Sequence, residues 1–262
     1  MRRPAPPANV KLRRQASKHC RCCGEAQKDT YNLSRKWAIW LSVGGDLRFA
    51  SHQDMMRSIQ RTAVRAKLPL KYTQGFNPRP VMSLVLPRPV GVASGDDLLT
   101  LSLEGDSESG GVVESLNSAR PPQGLEFLGS ALMGGKVSPQ PRRAWYELPL
   151  DEGRRKAVSA RLEQLALAGD WPVERMVKTR RRRKSAPENF AAKRLNIKPL
   201  VEQIRIFDNL LEFTLISSAT GGARPAEVLT LCGLDERKDL ASVRRVTVDY
   251  CVGGEEKDFR AA

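Results

Sequence analysis

The strongest constraint on the fold is the order in which strand-type and helix-type segments follow one another. Trp37–Val43 (WAIWLSV) is a continuous apolar run of strand composition. Gly44-Gly45-Asp46 supplies turn chemistry, and Leu47–Ala50 (LRFA) reads as a short extended piece. Ser51 is a good N-cap, and Asp54, three residues on, completes an acidic version of the capping box. Met56, Ile59, Ala63 and Ala66 recur at helical spacing, and Pro69 stops the helix near Lys67. Val81–Leu86 and Leu98–Leu103 read as strands, 111–118 as a short helix and Leu125–Leu128 as a strand. Strand, helix, strand, strand, helix, strand is the order of a split βαβ, ferredoxin-like unit.

A second series repeats the plan. Ala144–Leu150 is a strand, and 151–168 a helix with Val158, Leu162 and Leu165 on one face. Trp171–Lys178, Leu195–Val201, Gln203–Phe207 and Leu210–Ile216 are strand-like. Pro225 opens a helix through Cys232 that Gly233 caps, and Val243–Val248 is the last strand. No residue-level repeat accompanies the repeated order. The expected class is α+β, with two tandem ferredoxin-like (βαββαβ) halves and a disordered basic N-terminal tail. The boundaries are a tail over 1–35, a first half over 36–130, a Gly/Pro/Arg-rich linker over 131–143, a second half over 144–252 and a short tail over 253–262.

Charge separates along the chain. The formal net charge is +15 over 262 residues. Residues 1–36 hold ten Lys/Arg and two acids, and residues 171–198 hold the same numbers. The other residues hold 24 basic and 25 acidic side chains. The expected body is near neutral, with one basic tail and one basic segment suited to an anionic partner.

The five cysteines are Cys20, Cys22, Cys23, Cys232 and Cys251. The last two sit in apolar surroundings and read as small core residues. His19, Cys20, Cys22 and Cys23 form the one metal-like cluster, but no second C-x2-C knuckle accompanies it. It reads either as part of the tail or as half of a site that a partner completes. No metal and no cofactor is expected. No apolar run reaches the ~20 residues of a membrane helix, and the basic N-terminus lacks the apolar core of a secretory signal. The expected location is cytoplasmic, without a membrane partner.

Specific chemistry concentrates in residues 46–97. They read DLRFASHQD, then a helix with Arg57, Arg61 and Arg65 spaced by four, then LPLKYTQGFNPRP, then PRPVGV. These motifs resemble those of the radical-SAM-linked protein family, also described as domain of unknown function 2344. The resemblance is strong over this segment. It continues more weakly to residue 250 through Gly222-Ala223-Arg224-Pro225 and the basic strand near 175–183, and does not cover the tail. Members occur fused to, or encoded beside, a radical-SAM iron–sulfur protein, and often near ribonuclease and ribosomal-protein genes. The chain has no cluster-binding cysteine motif, so it resembles the stand-alone form. The resemblance implies an accessory factor in RNA modification or ribosome-related RNA metabolism. Its implied partners are RNA, a radical-SAM iron–sulfur protein and the ribosome.

The residues themselves leave alternatives open. His52 with Tyr72, and with Lys71 or Arg48 nearby, could support metal-free RNA cleavage by general acid/base chemistry. Alternatively, His52 and Asp54 cap the helix and hold the loop. Phe76 could stack on a base while Lys71 and Arg79 bind phosphate, or it could plug the core. Arg57 and Arg61 form either a phosphate-binding ridge or a solvated helix face. Arg180, Arg181, Arg182, Arg183 and Lys184 repel one another and need counter-ions, which nucleic-acid phosphate supplies. Arg48, Ser51, His52, Asp54, Tyr72, Gln74, Gly75, Asn77 and Pro78 define a motif-bearing face for a partner or nucleotide. The expected function is a non-catalytic RNA-binding accessory protein. The alternative is an enzyme, either a metal-free RNase or the substrate-handling subunit of a radical-SAM RNA-modifying system.

Overall fold

The computed structural model describes residues 34–105, 109–134, 138–178, 190–218, 221–252 and 255–256. The first strand, β1 (Ser34–Val43), starts three residues before its apolar run. It is followed by a 3-10 turn over Gly45–Phe49 and by α1 (His52–Arg65). Then come β2 (Met82–Leu84), β3 (Ala93–Glu104), α2 (Ser109–Ser118) and β4 (Leu125–Met133). The second series is β5 (Gln140–Pro149), α3 (Glu152–Leu167), β6 (Pro172–Lys178), β7 (Phe190–Asn196), β8 (Val201–Phe207) and β9 (Leu210–Ser218). It closes with β10 (Gly221–Gly222), α4 (Pro225–Leu231), α5 (Glu236–Asp239), β11 (Arg244–Val252) and β12 (Glu255–Glu256).

The described residues form an α+β fold around one mostly antiparallel sheet of ten strands, with β6 and β7 forming a separate hairpin. The path runs β10-β9-β5-β11-β3-β1-β4, with β2 paired to β3 and β8 paired to β9. Strands β4, β1, β3 and β2 are thus adjacent in that order and antiparallel. Strands β11, β5, β9 and β8 repeat the same arrangement. The two sets join where β11 runs parallel to β3, pairing Arg244 with Ala93 and Arg245 with Ser94. The described residues all fall within one compact unit.

There are two cores, one within the first set of strands and its helices and one that both sets of strands line. Trp37, Ile39, Leu41 and Val43 of β1 pack with Met55, Ile59 and Ala63 of α1 and with Val112 and Leu116 of α2. The alternate residues Ala38 and Trp40 belong to the second core, with Leu148, Val158, Leu165, Phe213 and Val228. Strand β1 is therefore buried on both faces, which is why its sequence is apolar without alternation. The expected stripe on α3 is present: Val158 and Leu165 are buried, and Leu162 packs against the same core.

Several local expectations change. Leu47–Ala50 is not extended. Gly45, at φ +53, turns the chain into the 3-10 turn over Gly45–Phe49. The linker expected over 131–143 is largely strand, because β4 extends to Met133 against β1 and β5 begins at Gln140 against β11. Cross-strand pairing there overrides the Gly/Pro composition. Cys251 is half-buried, whereas Cys232 is in the core as expected. Residues 1–33, which include the metal-like cysteine cluster, and the tail after Glu256 lie outside the described residues. No helix among the described residues is long and apolar enough to cross a membrane.

Candidate nucleic-acid interface

The first motif builds the start of α1. The Ser51 Oγ accepts from the Asp54 backbone N–H at 3.2 Å and donates to Asp54 Oδ2 at 2.7 Å. Asp54 Oδ1 accepts from Arg57 Nη1 at 3.0 Å. The hydrogen bond from Ser51, helped by Arg57, holds the Asp54 carboxyl below its ordinary value of 3.8. Asp54 is thus occupied as a capping group. His52 is exposed at the first helical position.

The ridge of arginines divides its work. Arg57 is paired with Asp54, and Arg65 donates to the carbonyls of Ala119 and Arg120 at 3.0 Å each, tying α1 to the end of α2. Arg61 is exposed.

The 3-10 turn over 45–49 is clamped by the third motif. Arg88 donates to the carbonyls of Arg48 at 2.7 Å, Leu47 at 3.1 Å and Val92 at 3.1 Å. The Gly91 N–H also donates to the Arg48 carbonyl, at 2.8 Å. Gly91 needs its φ of +93 to do so, a conformation open to glycine at little cost. DLRF and PRPVGV are therefore one structural unit, with the Arg48 guanidinium over the Phe49 ring at 5.0 Å.

Strand β3, which follows PRPVGV directly, carries a buried ion pair. Asp97 on β3 meets Arg245 Nη2 on β11 at 2.5 Å, and Ser94 donates to the same carboxylate. Arg245 Nη2 also reaches the Leu86 carbonyl at 2.8 Å. Burial pushes the phenols of Tyr146 and Tyr250, beside this cluster, above their ordinary range. None of this group was among the residues that sequence reasoning singled out.

The second motif projects as a closed loop. Its base is fixed by the Lys71 N–H donating to Ser102 at 2.9 Å and by a bridge between Tyr72 and Pro80. Thr73 and Arg79 close it further: Thr73 N–H donates to the Arg79 carbonyl at 2.8 Å, and Arg79 N–H donates to Thr73 Oγ1 at 3.0 Å. Gly75 turns the chain at φ +145, and Phe76 at the tip is 100% exposed. The core-plug reading of Phe76 is thus overturned, since its ring meets neither core. Gln74, Asn77 and Pro78 are exposed beside it, and Tyr72 is 40% exposed. Lys71 Nζ donates to Ser34 Oγ at 2.6 Å, so the chain enters β1 beside this loop.

One stretch between the first motif and the buried pair is one-sided in charge. Residues 55–95 contain five arginines, two lysines and no Asp or Glu. The near-neutral total of the body conceals this stretch, which only a local count exposes.

In the second series, Gly222-Ala223-Arg224-Pro225 opens α4. Glu227 accepts from the Arg224 backbone N–H at 2.8 Å and from Arg175 Nη2 at 2.7 Å, and it also pairs with Arg175 Nε. Arg175 donates to the Gly222 carbonyl at 2.7 Å, so β6 and the helix start are locked together. Residues Arg180–Lys184, between β6 and β7, lie outside the described residues. A groove of about 300 Å³ opens over β5, β8, β9 and β11, lined in part by Trp145, Arg205, Glu212 and Thr214. Its arginine is paired, with Arg205 Nη2 at 2.7 Å from Glu212. Among the described residues, no group of three or more His, Cys, Asp or Glu could hold a metal ion.

The chain is thus an α+β protein with a clamped turn and a closed loop on its first set of strands. The chain belongs to the family described as "Uncharacterized protein conserved in bacteria (DUF2344)", whose model matches residues 36–225. No curated protein matches the chain. Among solved structures it is similar to "Crystal Structure of an Unknown Protein from Galdieria sulphuraria", at 9% identity and a TM-score of 0.25, covering 70% of this chain and 83% of that one.

Proposed function

We propose that the protein is a non-catalytic RNA-binding accessory factor built from two ferredoxin-like halves. It would act in the cytoplasm beside a radical-SAM RNA-modifying protein or in ribosome-related RNA metabolism. The strand orders β4-β1-β3-β2 and β11-β5-β9-β8 support the two-halves reading, since each is the order of a split βαβ unit. The observation that carries the RNA reading is the acid-free segment 55–95 with a fully exposed aromatic on a closed loop inside it. Cations bind the phosphate backbone and an aromatic face binds a base. The basic segments 1–36 and 171–198 add sequence-independent phosphate affinity. The radical-SAM and ribosomal links rest on the motif resemblance over residues 46–97.

The test is binding of the full chain to structured RNA across a salt series. Affinity is expected to fall by orders of magnitude from low to high salt. Replacing Arg180, Arg181, Arg182 and Arg183 by Ser is expected to weaken binding and flatten the salt dependence, by about one unit of slope per lost phosphate contact. Absent or salt-independent binding overturns the proposal.

A further inference from the structure

We infer that the QGFNPRP loop is a stacking finger that takes an unpaired nucleotide, in a bulge or a single strand, in preference to a duplex. This rests on the RNA-binding reading and names the form of RNA the loop selects.

The argument starts from Phe76. Its ring is wholly exposed, so it contributes nothing to either core. A mobile tip would leave such a ring free to fold back, but this loop is closed. The paired Thr73–Arg79 hydrogen bonds and the Tyr72–Pro80 bridge hold its two arms together. Pro78 and Pro80 fix two backbone φ angles on the returning arm. Pre-ordering reduces the entropy lost when the ring meets a partner.

Charge selects the partner. Arg79 is exposed on the same loop, Lys71 stands at its base, and no carboxylate occurs from residue 55 to residue 95. An exposed aromatic with Arg79 on the same loop suits a base joined to phosphates. The shape of the finger then selects the state of that base. In an A-form duplex the base faces are covered by their neighbours, and the deep major groove is too narrow for side chains to read. A single ring at a loop tip can stack only on a base whose face is open.

The test uses the full chain and three RNA probes: a blunt duplex, the same duplex with one bulged 2-aminopurine, and the unpaired strand. Wild type is expected to bind the bulged and unpaired probes more tightly than the blunt duplex, and to quench the 2-aminopurine emission. Because Phe76 is outside both cores, Phe76→Ala leaves folding intact, which circular dichroism checks. It is expected to lose about tenfold in affinity for the bulged probe, with duplex affinity unchanged, and Phe76→Trp to retain the preference. Equal bulge affinity for Phe76→Ala and wild type overturns the finger while leaving RNA binding standing. Loss of a co-purifying protein by Phe76→Ala, with every RNA affinity unchanged, overturns it in favour of protein docking. Failure of wild type to bind any probe at low salt overturns both this inference and the RNA reading.

Discussion

Arg245 Nη2 on β11 lies 2.5 Å from Asp97 Oδ1 on β3, and neither side chain reaches solvent. This pair sits at the parallel junction that joins the two sets of strands. Removing one partner leaves the other charged and buried, which costs about 3–5 kcal/mol. Asp97→Asn and Arg245→Met are each expected to lose stability of that order in urea unfolding. The double variant is expected to lose less than the sum, because the two residues share one interaction.

Gly124 tests a second close approach. Its φ is +88, and a Cβ added there would overlap the carbonyl of Gly44, whose N–H bonds back to Gly124 at 2.8 Å. Gly124→Ala is expected to lower stability by about 2–3 kcal/mol, since backbone strain and a backbone clash combine. Gly134→Ala, where a Cβ meets open space, is expected to stay within about 0.5 kcal/mol of wild type. Thermal unfolding of both variants checks the contrast.

The helix cap should be visible in a titration. Asp54 has its folded pKa depressed below 3.8, first by the Ser51 hydrogen bond and then by Arg57. Its contribution to the start of α1 is therefore present above the unfolded pKa and lost as pH falls through the depressed value. Carboxyl-carbon NMR is expected to show Asp54 titrating below 3.8 in wild type. In Ser51→Ala the titration is expected to move back up.

The two described cysteines should separate chemically. Burial pushes the Cys232 thiol up to about 12, so its thiolate is scarce near neutral pH. Cys251 is half-buried. Alkylation of the native protein at pH 8, followed by peptide mass spectrometry, is expected to label Cys251 well before Cys232. Equal labelling would mean that the core around α4 opens readily.

What could be read before folding was local. Ser51 and Asp54 lie three residues apart, and the α3 stripe repeats within one helix, so cap and stripe follow from short-range chemistry. The Asp97–Arg245 pair spans 148 residues, and nothing in either neighbourhood marks the other. Residues 131–143 looked like a linker because Gly and Pro are local signals, whereas their pairing with β1 and β11 is not. Phe76 was undecidable because an aromatic between prolines suits either a plug or a tip. Its full exposure on the folded loop shows that it is a tip. The clamp by Arg88 was hidden for a similar reason, since its three acceptors are backbone carbonyls that no composition reveals.

The β3–β11 junction sets an order of events during synthesis. Asp97 leaves the exit tunnel long before Arg245 does, so the first set of strands emerges with a carboxylate destined for the interior and its ion-pair partner still to come. A chain halted before β11 keeps that defect permanently. The edge of β3 that β11 covers at Ala93 and Ser94 therefore stays open in any chain that ends before Arg244.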